Sequence, residues 1–295
     1  MSVGSGGIET VFLEAGEITF EIDTAGDPSS DRLALLLHGF PELSYSWRYQ
    51  IPLLAELGYR VWAPNQRGYG RTTRPGGIRA YRPQALVDDA CRLMDASGAS
   101  SVTLVGHDWG GVVAWLLALT QPERLDRLVV MNLPHPTLFR RGLRSWAQIK
   151  RSWYGAFFQV PRLPEAMLRA GKARAVGEAF RGMAIDKSRF PDDVTDVYRR
   201  AALEPGAATA MVNWYRGLRH MPPEWAALVD DPPILEIPTL LVWGEEDAAL
   251  GKELTYGTDE LVRDLTVHYL PNVSHWVQQE APEAVNEILE AWLPS

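Results

Sequence analysis

The stretch "SVTLVGHDWGGVVAWLLAL", residues 101–119, opens β-branched and apolar, turns through Gly106-His107-Asp108-Trp109-Gly110, and leaves as an apolar helix. Two glycines stand at the spacing G-x-x-x-G with Asp108 midway between them. A sharp strand-to-helix turn strains its central residue and needs small neighbours, so the side chain at the tip stands clear of the backbone. The helix that starts at Trp109 aims its first amides at the same point, which favours a developing negative charge. Taken alone, Asp108 is equally readable as a cap of that helix.

Outward from this turn, short apolar runs alternate with helical patterns. "TVFLEA" (10–15) and "EITFEID" (17–23) form a hairpin joined near Gly16, and "RLALLLHGF" (32–40) and "YRVWAPN" (59–65) are buried strands. Between those two, "SYSWRYQIPLLAELG" (44–58) has helical spacing and a glycine stop. "RLDRLVVMNLP" (124–134), "IPTLLVWGEED" (237–247) and "LTVHYLPN" (265–272) are further strands, and "APEAVNEILEAWL" (281–293) is a closing helix. Strands alternating with helices predict a mostly parallel sheet with helices on both faces. From Pro134 to Pro233 the text changes: it is helical in pattern, rich in Arg, Trp, Phe and Pro, and has no buried strand. The expected organisation is a core of residues 1–133 and 234–295, with 134–233 inserted after the sixth strand as a helical lid. Such a lid sits over the C-terminal edge of the sheet, where ligands bind in open α/β folds.

The bulk numbers bound the class. A chain of 295 residues, 46% hydrophobic and 22% charged, fits one large domain or a domain carrying a smaller one. A net charge of −8, from 29 basic and 37 acidic residues, argues against a nucleic-acid footprint and against a polybasic membrane surface. The Arg-rich stretch "FRRGLRSWAQIKRSW" (139–153) suggests an anionic partner at first sight, but its helical spacing fits a solvated lid face. Cys91, the single cysteine, lies in an amphipathic run and reads as a buried structural thiol. The N-terminus has no basic flank and no long apolar core, and no apolar run reaches the ~18 residues of a membrane span. The expectation is a cytoplasmic protein with no membrane or nucleic-acid partner, a monomer or a homodimer.

Five motifs surround the opening turn: "HGFPE" (38–42), "RGYGRT" (67–72), "GHDWGG" (106–111), "WGEED" (243–247) and "SHWVQQEAP" (274–282). Together they closely resemble the epoxide hydrolases of the α/β-hydrolase superfamily, over essentially the whole chain. The resemblance implies an α/β-hydrolase fold, no cofactor and no metal. The family usually carries an Asp where this chain has Asn65, and often a Ser where it has Thr72; both lie outside the catalytic motifs.

Chemistry accounts for Asp108 independently. A serine attacking a saturated carbon makes an ether, which water does not readily cleave. A carboxylate makes an ester, which water opens at the acyl carbon to free the enzyme. The second step needs a base for water and a group to orient it. Among six histidines, His275 follows the last strand and precedes the last helix, the base position of this fold. His268 lies inside a strand, His38 and His107 flank the glycines of site loops and shape them, and His135 and His220 carry no motif. Glu245, Glu246 and Asp247 compete as the orienting acid; the resemblance favours Asp247, and the alternative location holds the uncharged Asn132. The order nucleophile, acid, histidine is the one the fold expects. "HGFPE" supplies a turn whose Phe40 amide pairs with the Trp109 amide as an oxyanion hole, and the resemblance implies a cis bond before Pro41.

The leaving group separates two hydrolases. A halide needs only N–H donors, whereas an epoxide leaves as an alkoxide and needs an acid, which a tyrosine with a pKa near ~10 supplies. "RSWYGAFFQVP" (151–161) offers Tyr154 and "AMVNWYRGLRH" (210–220) offers Tyr215, at positions that match the paired oxygen-binding tyrosines of epoxide hydrolases. Trp109 complicates the reading, because an indole after the nucleophile also serves haloalkane dehalogenases; Phe40, however, stands where many of those carry a second donor. A third reading is a non-catalytic ligand-binding protein of the same fold, which would be expected to have lost part of the triad. The substrate expected is a small hydrophobic epoxide, with water as co-substrate, in a pocket of His38, Pro41, Phe158, Trp214 and Trp276 around the site.

Overall fold

The computed structural model describes residues 7–294; the first six residues, part of the N-terminal stretch in which no leader was expected, lie outside them. Eight strands form one sheet: β1 (Glu9–Ala15), β2 (Ile18–Ala25), β3 (Arg32–Leu37), β4 (Arg60–Pro64), β5 (Ser101–His107), β6 (Arg127–Met131), β7 (Thr239–Gly244) and β8 (Leu265–Leu270). Their order is β1-β2-β4-β3-β5-β6-β7-β8. β1 and β2 are the hairpin expected around Gly16, and β2 meets β4 antiparallel. The remaining pairs, β4 to β3, β3 to β5, and on through β8, are parallel. The inner strands are buried on both faces, which is why they read as unbroken apolar runs: all of Leu33–Leu37 and Thr239–Gly244 are buried.

Helices α1 (Gln50–Glu56), α2 (Pro83–Ser97) and α3 (Trp109–Thr120) connect the first six strands. Cys91 is buried in α2, its thiol against Gln121 Oε1. Between β6 and β7 the chain is helical: α4 (Pro136–Gly142), α5 (Trp146–Arg151), α6 (Trp153–Phe157), α7 (Leu163–Met183), α8 (Asp192–Leu203), α9 (Ala207–Gly217) and α10 (Pro223–Asp230). α7 is broken at Ala170–Ala173, where Gly171, Lys172 and Ala173 take positive φ of 56°, 59° and 57°. α11 (Val277–Glu280) and α12 (Pro282–Trp292) close the chain. The apolar core forms two layers, one on each face of the sheet. No helix among the described residues is long and apolar enough to cross a membrane.

The β5–α3 turn places the site. Asp108 takes φ 48° and ψ −118°, a backbone state that L-residues seldom occupy and that persists only when its surroundings enforce it. Gly110 is part of that enforcement: a Cβ there would lie 1.9 Å from the Leu37 carbonyl oxygen, and one on Gly106 would lie 2.5 Å from that of Gly110. Only glycine lets α3 start this close to β3 and β5, and the close start lifts Asp108 above the sheet edge.

Candidate active site

Three loops at the C-terminal edge of the sheet bring Asp108, Asp247 and His275 together. His275, after β8, sets Nε2 at 3.6 Å from Asp108 Oδ2 and Nδ1 at 2.7 Å from Asp247 Oδ2. Asp247, after β7, is held by the amides of Ala249 and Leu250, which donate to Oδ1 at 2.8 and 2.9 Å. Its two competitors point elsewhere: Glu245 pairs with Lys252, and Glu246 is exposed. Asn132, set aside in the sequence as uncharged, has a part in the arrangement. Its Nδ2 donates to Asp247 Oδ2 at 2.8 Å, and its Oδ1 accepts the Gly244 amide at 2.9 Å.

The turn of "HGFPE" meets Asp108 from the other side. The Phe40 amide donates to Asp108 Oδ1 at 2.7 Å, and the Phe40–Pro41 peptide is cis. The carboxylate is therefore differentiated: Oδ1 is held by a backbone donor, and Oδ2 faces His275.

Electrostatics ties the two charges to each other. Burial alone would raise the Asp108 carboxyl, but the hydrogen bond and charge of His275, with His107 and the Phe40 amide, outweigh it and hold the carboxyl below its usual range. Burial alone would lower His275; the charge of Asp247 and the hydrogen bonds to Asp108 and Asp247 overcome it and push the imidazole up to about 10. Both shifts favour the charged imidazole beside the Asp108 carboxylate. A base raised from 6.5 to about 10 contributes stability that is complete below its unfolded pKa and lost as pH rises through about 10. The expected consequence is a fall in thermal midpoint across that upper window. Imidazole NMR should show His275 deprotonating at lower pH in Asp108→Asn than in the wild type; an unchanged titration would show that Asp108 does not hold this proton.

A cavity of about 570 Å³ opens beside Asp108 and Trp109. Apolar side chains make most of its wall, among them Val112 and Leu116 of α3, Phe139 of α4, and Met221 and Val229. Tyr154 and Tyr215 line it together with Asp108, their rings 6.0 Å apart and nearly perpendicular. Burial, with the charge of Asp108 next, raises both phenols above 10, so both hydroxyls stay protonated.

The five residues expected to line the pocket do not line it. His38 is fully buried, donating from Nδ1 to the Gly39 carbonyl at 2.9 Å and accepting the Gln66 amide on Nε2 at 3.0 Å; burial pushes it down to about 4. Pro41 is buried in its turn. Phe158 packs behind the site against Phe40 and Tyr215, with ring centroids at 5.2 and 4.7 Å. Trp214 donates its indole N–H to Arg67 O at 3.1 Å, and Trp276 donates to Ala179 O at 3.3 Å. These side chains back the site residues instead of facing the cavity.

A buried polar network braces the loops; His107 has the loop-shaping part expected of it, while that of Glu42 was not foreseen. Glu42 Oε2 accepts from the Gly39 amide and from His107 Nδ1, both at 2.7 Å, while Oε1 accepts from Gln278 and Gln279, both at 2.9 Å. His107 Nε2 then reaches the His275 carbonyl at 2.8 Å. One carboxylate thus ties the Phe40 turn, the end of β5 and the His275 loop into one frame. Asn65 and Thr72 brace a neighbouring loop. Asn65 accepts the Ser44 amide at 2.9 Å and donates to Glu21 Oε2 at 2.8 Å; an Asp there would set two carboxylates face to face. Of the remaining histidines, His135 is buried at the start of α4, His220 follows α9, and His268 is exposed on β8. No cluster of three or more His, Cys, Asp or Glu side chains is placed to hold a metal ion among the described residues.

A family profile described as alpha/beta hydrolase fold matches residues 35–282, which sets the class. "AB hydrolase superfamily protein YfhM" of Bacillus subtilis is 36% identical over 288 residues, covering 97% of this chain and 98% of its own. "Epoxide hydrolase 4" of the mouse is 38% identical over 291 residues, covering 96% of this chain and 78% of its own. Among solved structures, the epoxide hydrolase of Bacillus megaterium in complex with an inhibitor superposes with a TM-score of 0.86 at 29% identity, covering 96% of this chain and 99% of that one. The chain belongs to the α/β-hydrolase fold family and, within it, to the epoxide hydrolases.

Proposed function

We propose that the protein adds water to a small hydrophobic epoxide, giving a vicinal diol through an ester on Asp108, with residues 134–233 acting as the lid. In the first step Asp108 Oδ2 attacks an epoxide carbon and the C–O bond breaks. Tyr154 or Tyr215 gives its proton to the departing oxygen. Oδ1 becomes the ester carbonyl oxygen, already seated on the Phe40 amide. Esterification removes the Asp108 charge, which had held a proton on His275 and had raised both phenols. His275 releases its proton, which restores the tyrosine through solvent, and stands neutral as a base. Oriented by Asp247, its Nε2 then takes a proton from water attacking the Asp108 acyl carbon. The oxyanion forms on Oδ1 against the Phe40 and Trp109 amides, and its collapse returns the carboxylate, the diol and the imidazolium.

The observation that carries this reading is the pair of tyrosines lining the cavity beside Asp108. A second reading, dehalogenation, draws on Trp109, whose indole also borders the cavity, but the Phe40 side chain brings no second donor. A non-catalytic role would leave the assembled Asp108–His275–Asp247 array without a task.

Single-turnover kinetics separates these readings. Tyr154→Phe and Tyr215→Phe should each slow esterification of Asp108, without the losses adding, because both hydroxyls serve one alkoxide. The double variant should lose on the order of 10³-fold in that step, while hydrolysis of an ester already formed changes less. An unchanged esterification rate in the double variant, with halide release from haloalkanes in a parallel assay, would replace the epoxide with a halide substrate.

A further inference from the structure

We propose that the outer face of residues 140–153 is a peripheral docking surface for an anionic phospholipid bilayer. α5 has inverted polarity: its one buried side chain is Gln148, while Trp146 and Ile149 face outward. Gln148 fixes that orientation, donating to Ala249 O at 3.0 Å and Ser152 Oγ at 2.8 Å and accepting the Gly251 amide at 3.2 Å. Leu143, Trp146, Ile149 and Trp153 recur three, three and four residues apart, and the two indoles are 78% and 61% exposed. A solvated face accounts for the arginines of this segment but not for two indoles standing in water.

Charge identifies the occupant. Residues 136–164 carry Arg140, Arg141, Arg144, Lys150, Arg151 and Arg162 and no Asp or Glu, in a chain of net charge −8. Arg140 pairs with Asp230, and Arg151 with Glu253. Arg141, Arg144 and Lys150 have no acidic partner among the described residues. Indoles interleaved with unpaired cations suit the headgroup layer of an anionic membrane, where the ring bodies sink and the cations meet phosphate. A second copy is disfavoured, because a two-fold contact would set one basic patch against another. The same segment also borders the cavity, at Arg140, Leu143 and Ser152. Docking would therefore place the cavity against the phase in which apolar molecules concentrate, whatever reaction Asp108 performs.

The test is co-sedimentation of the full chain with vesicles of phosphatidylglycerol and phosphatidylcholine in equal parts, beside vesicles of phosphatidylcholine alone. The protein should pellet with the anionic vesicles only, and ~0.5 M salt should release it. The charge reversal Arg141→Glu/Arg144→Glu/Lys150→Glu should weaken partitioning by about 100-fold or more, and Trp146→Ala/Trp153→Ala by about 10-fold. All five side chains are exposed, so circular dichroism should show both variants folded. Failure to pellet at low salt, equal pelleting with both vesicles, or wild-type binding by the charge-reversed variant would each overturn the proposal. So would a dimer in sedimentation velocity that Trp146→Ala/Trp153→Ala abolishes while vesicles bind nothing; that result would give the face to a second copy.

Discussion

Asp108→Asn is expected to leave a folded protein whose epoxide turnover has dropped on the order of 10⁴-fold or more, the scale seen when a covalent nucleophile is removed. The carboxamide keeps the shape of the side chain and the Phe40 amide can still donate to its oxygen, so the turn at φ 48°, enforced by its surroundings, should survive. What disappears is the charge on Oδ2 and with it the attack on carbon. The measurement is diol formation by fresh protein, with mass spectrometry excluding deamidation of the introduced carboxamide back to a carboxylate. Wild-type turnover by verified Asp108→Asn would remove the nucleophile from the mechanism.

His275→Gln should separate the two half-reactions. Attack by Asp108 on the epoxide does not call for a base, whereas attack by water on the ester does, and the nearest group placed to serve is His275 Nε2. The variant should therefore become labelled. Intact-protein mass spectrometry should show one added substrate mass, and peptide mapping should place it on Asp108. Hydrolysis of that ester should fall by on the order of 10²-fold to 10⁴-fold, the usual worth of a positioned general base. An unlabelled His275→Gln protein making diol at the normal rate would sink both the base assignment and the ester.

The sequence carried the fold well because the sheet is mostly parallel and covered on both faces. Strands such as Leu33–Leu37 then have no solvent side and stand out as continuous apolar runs. The meeting of Asp108, Asp247 and His275 was legible for a related reason: each sits in its own short motif at a strand end. The cavity wall was not legible. Val112, Phe139, Met221 and Val229 are ordinary apolar helix residues until packing turns them toward one space. Reading the pocket from chain neighbours failed on helix geometry. Residues one apart on a helix point about 100° from each other, so Trp214 turns inward while the adjacent Tyr215 borders the cavity. Trp276 follows His275 in the loop before α11, packs edge-on against its ring and turns its indole N–H to Ala179 O. The bracing roles of Glu42 and Asn132 were not legible because a buried polar brace is defined by its partners. Those partners, Gln278 and Asp247, lie more than a hundred residues away in the chain.

β6 and β7 are hydrogen-bonded neighbours, and everything from α4 to α10 leaves from one and returns to the other. The excursion thus departs and re-enters at one pair of adjacent strands, while Asp108, Asp247 and His275 follow strands it does not interrupt. On the roles proposed above, the groups that receive the leaving oxygen are inherited in one cassette, and those that make and cleave the ester in another. A lineage, or an engineer, can exchange the first cassette to accept a different leaving group and keep the second. Exchanging this insert between the same two strands is accordingly a more economical route to new substrates than rebuilding the β5–α3 turn, where Gly106 and Gly110 leave no room for a Cβ.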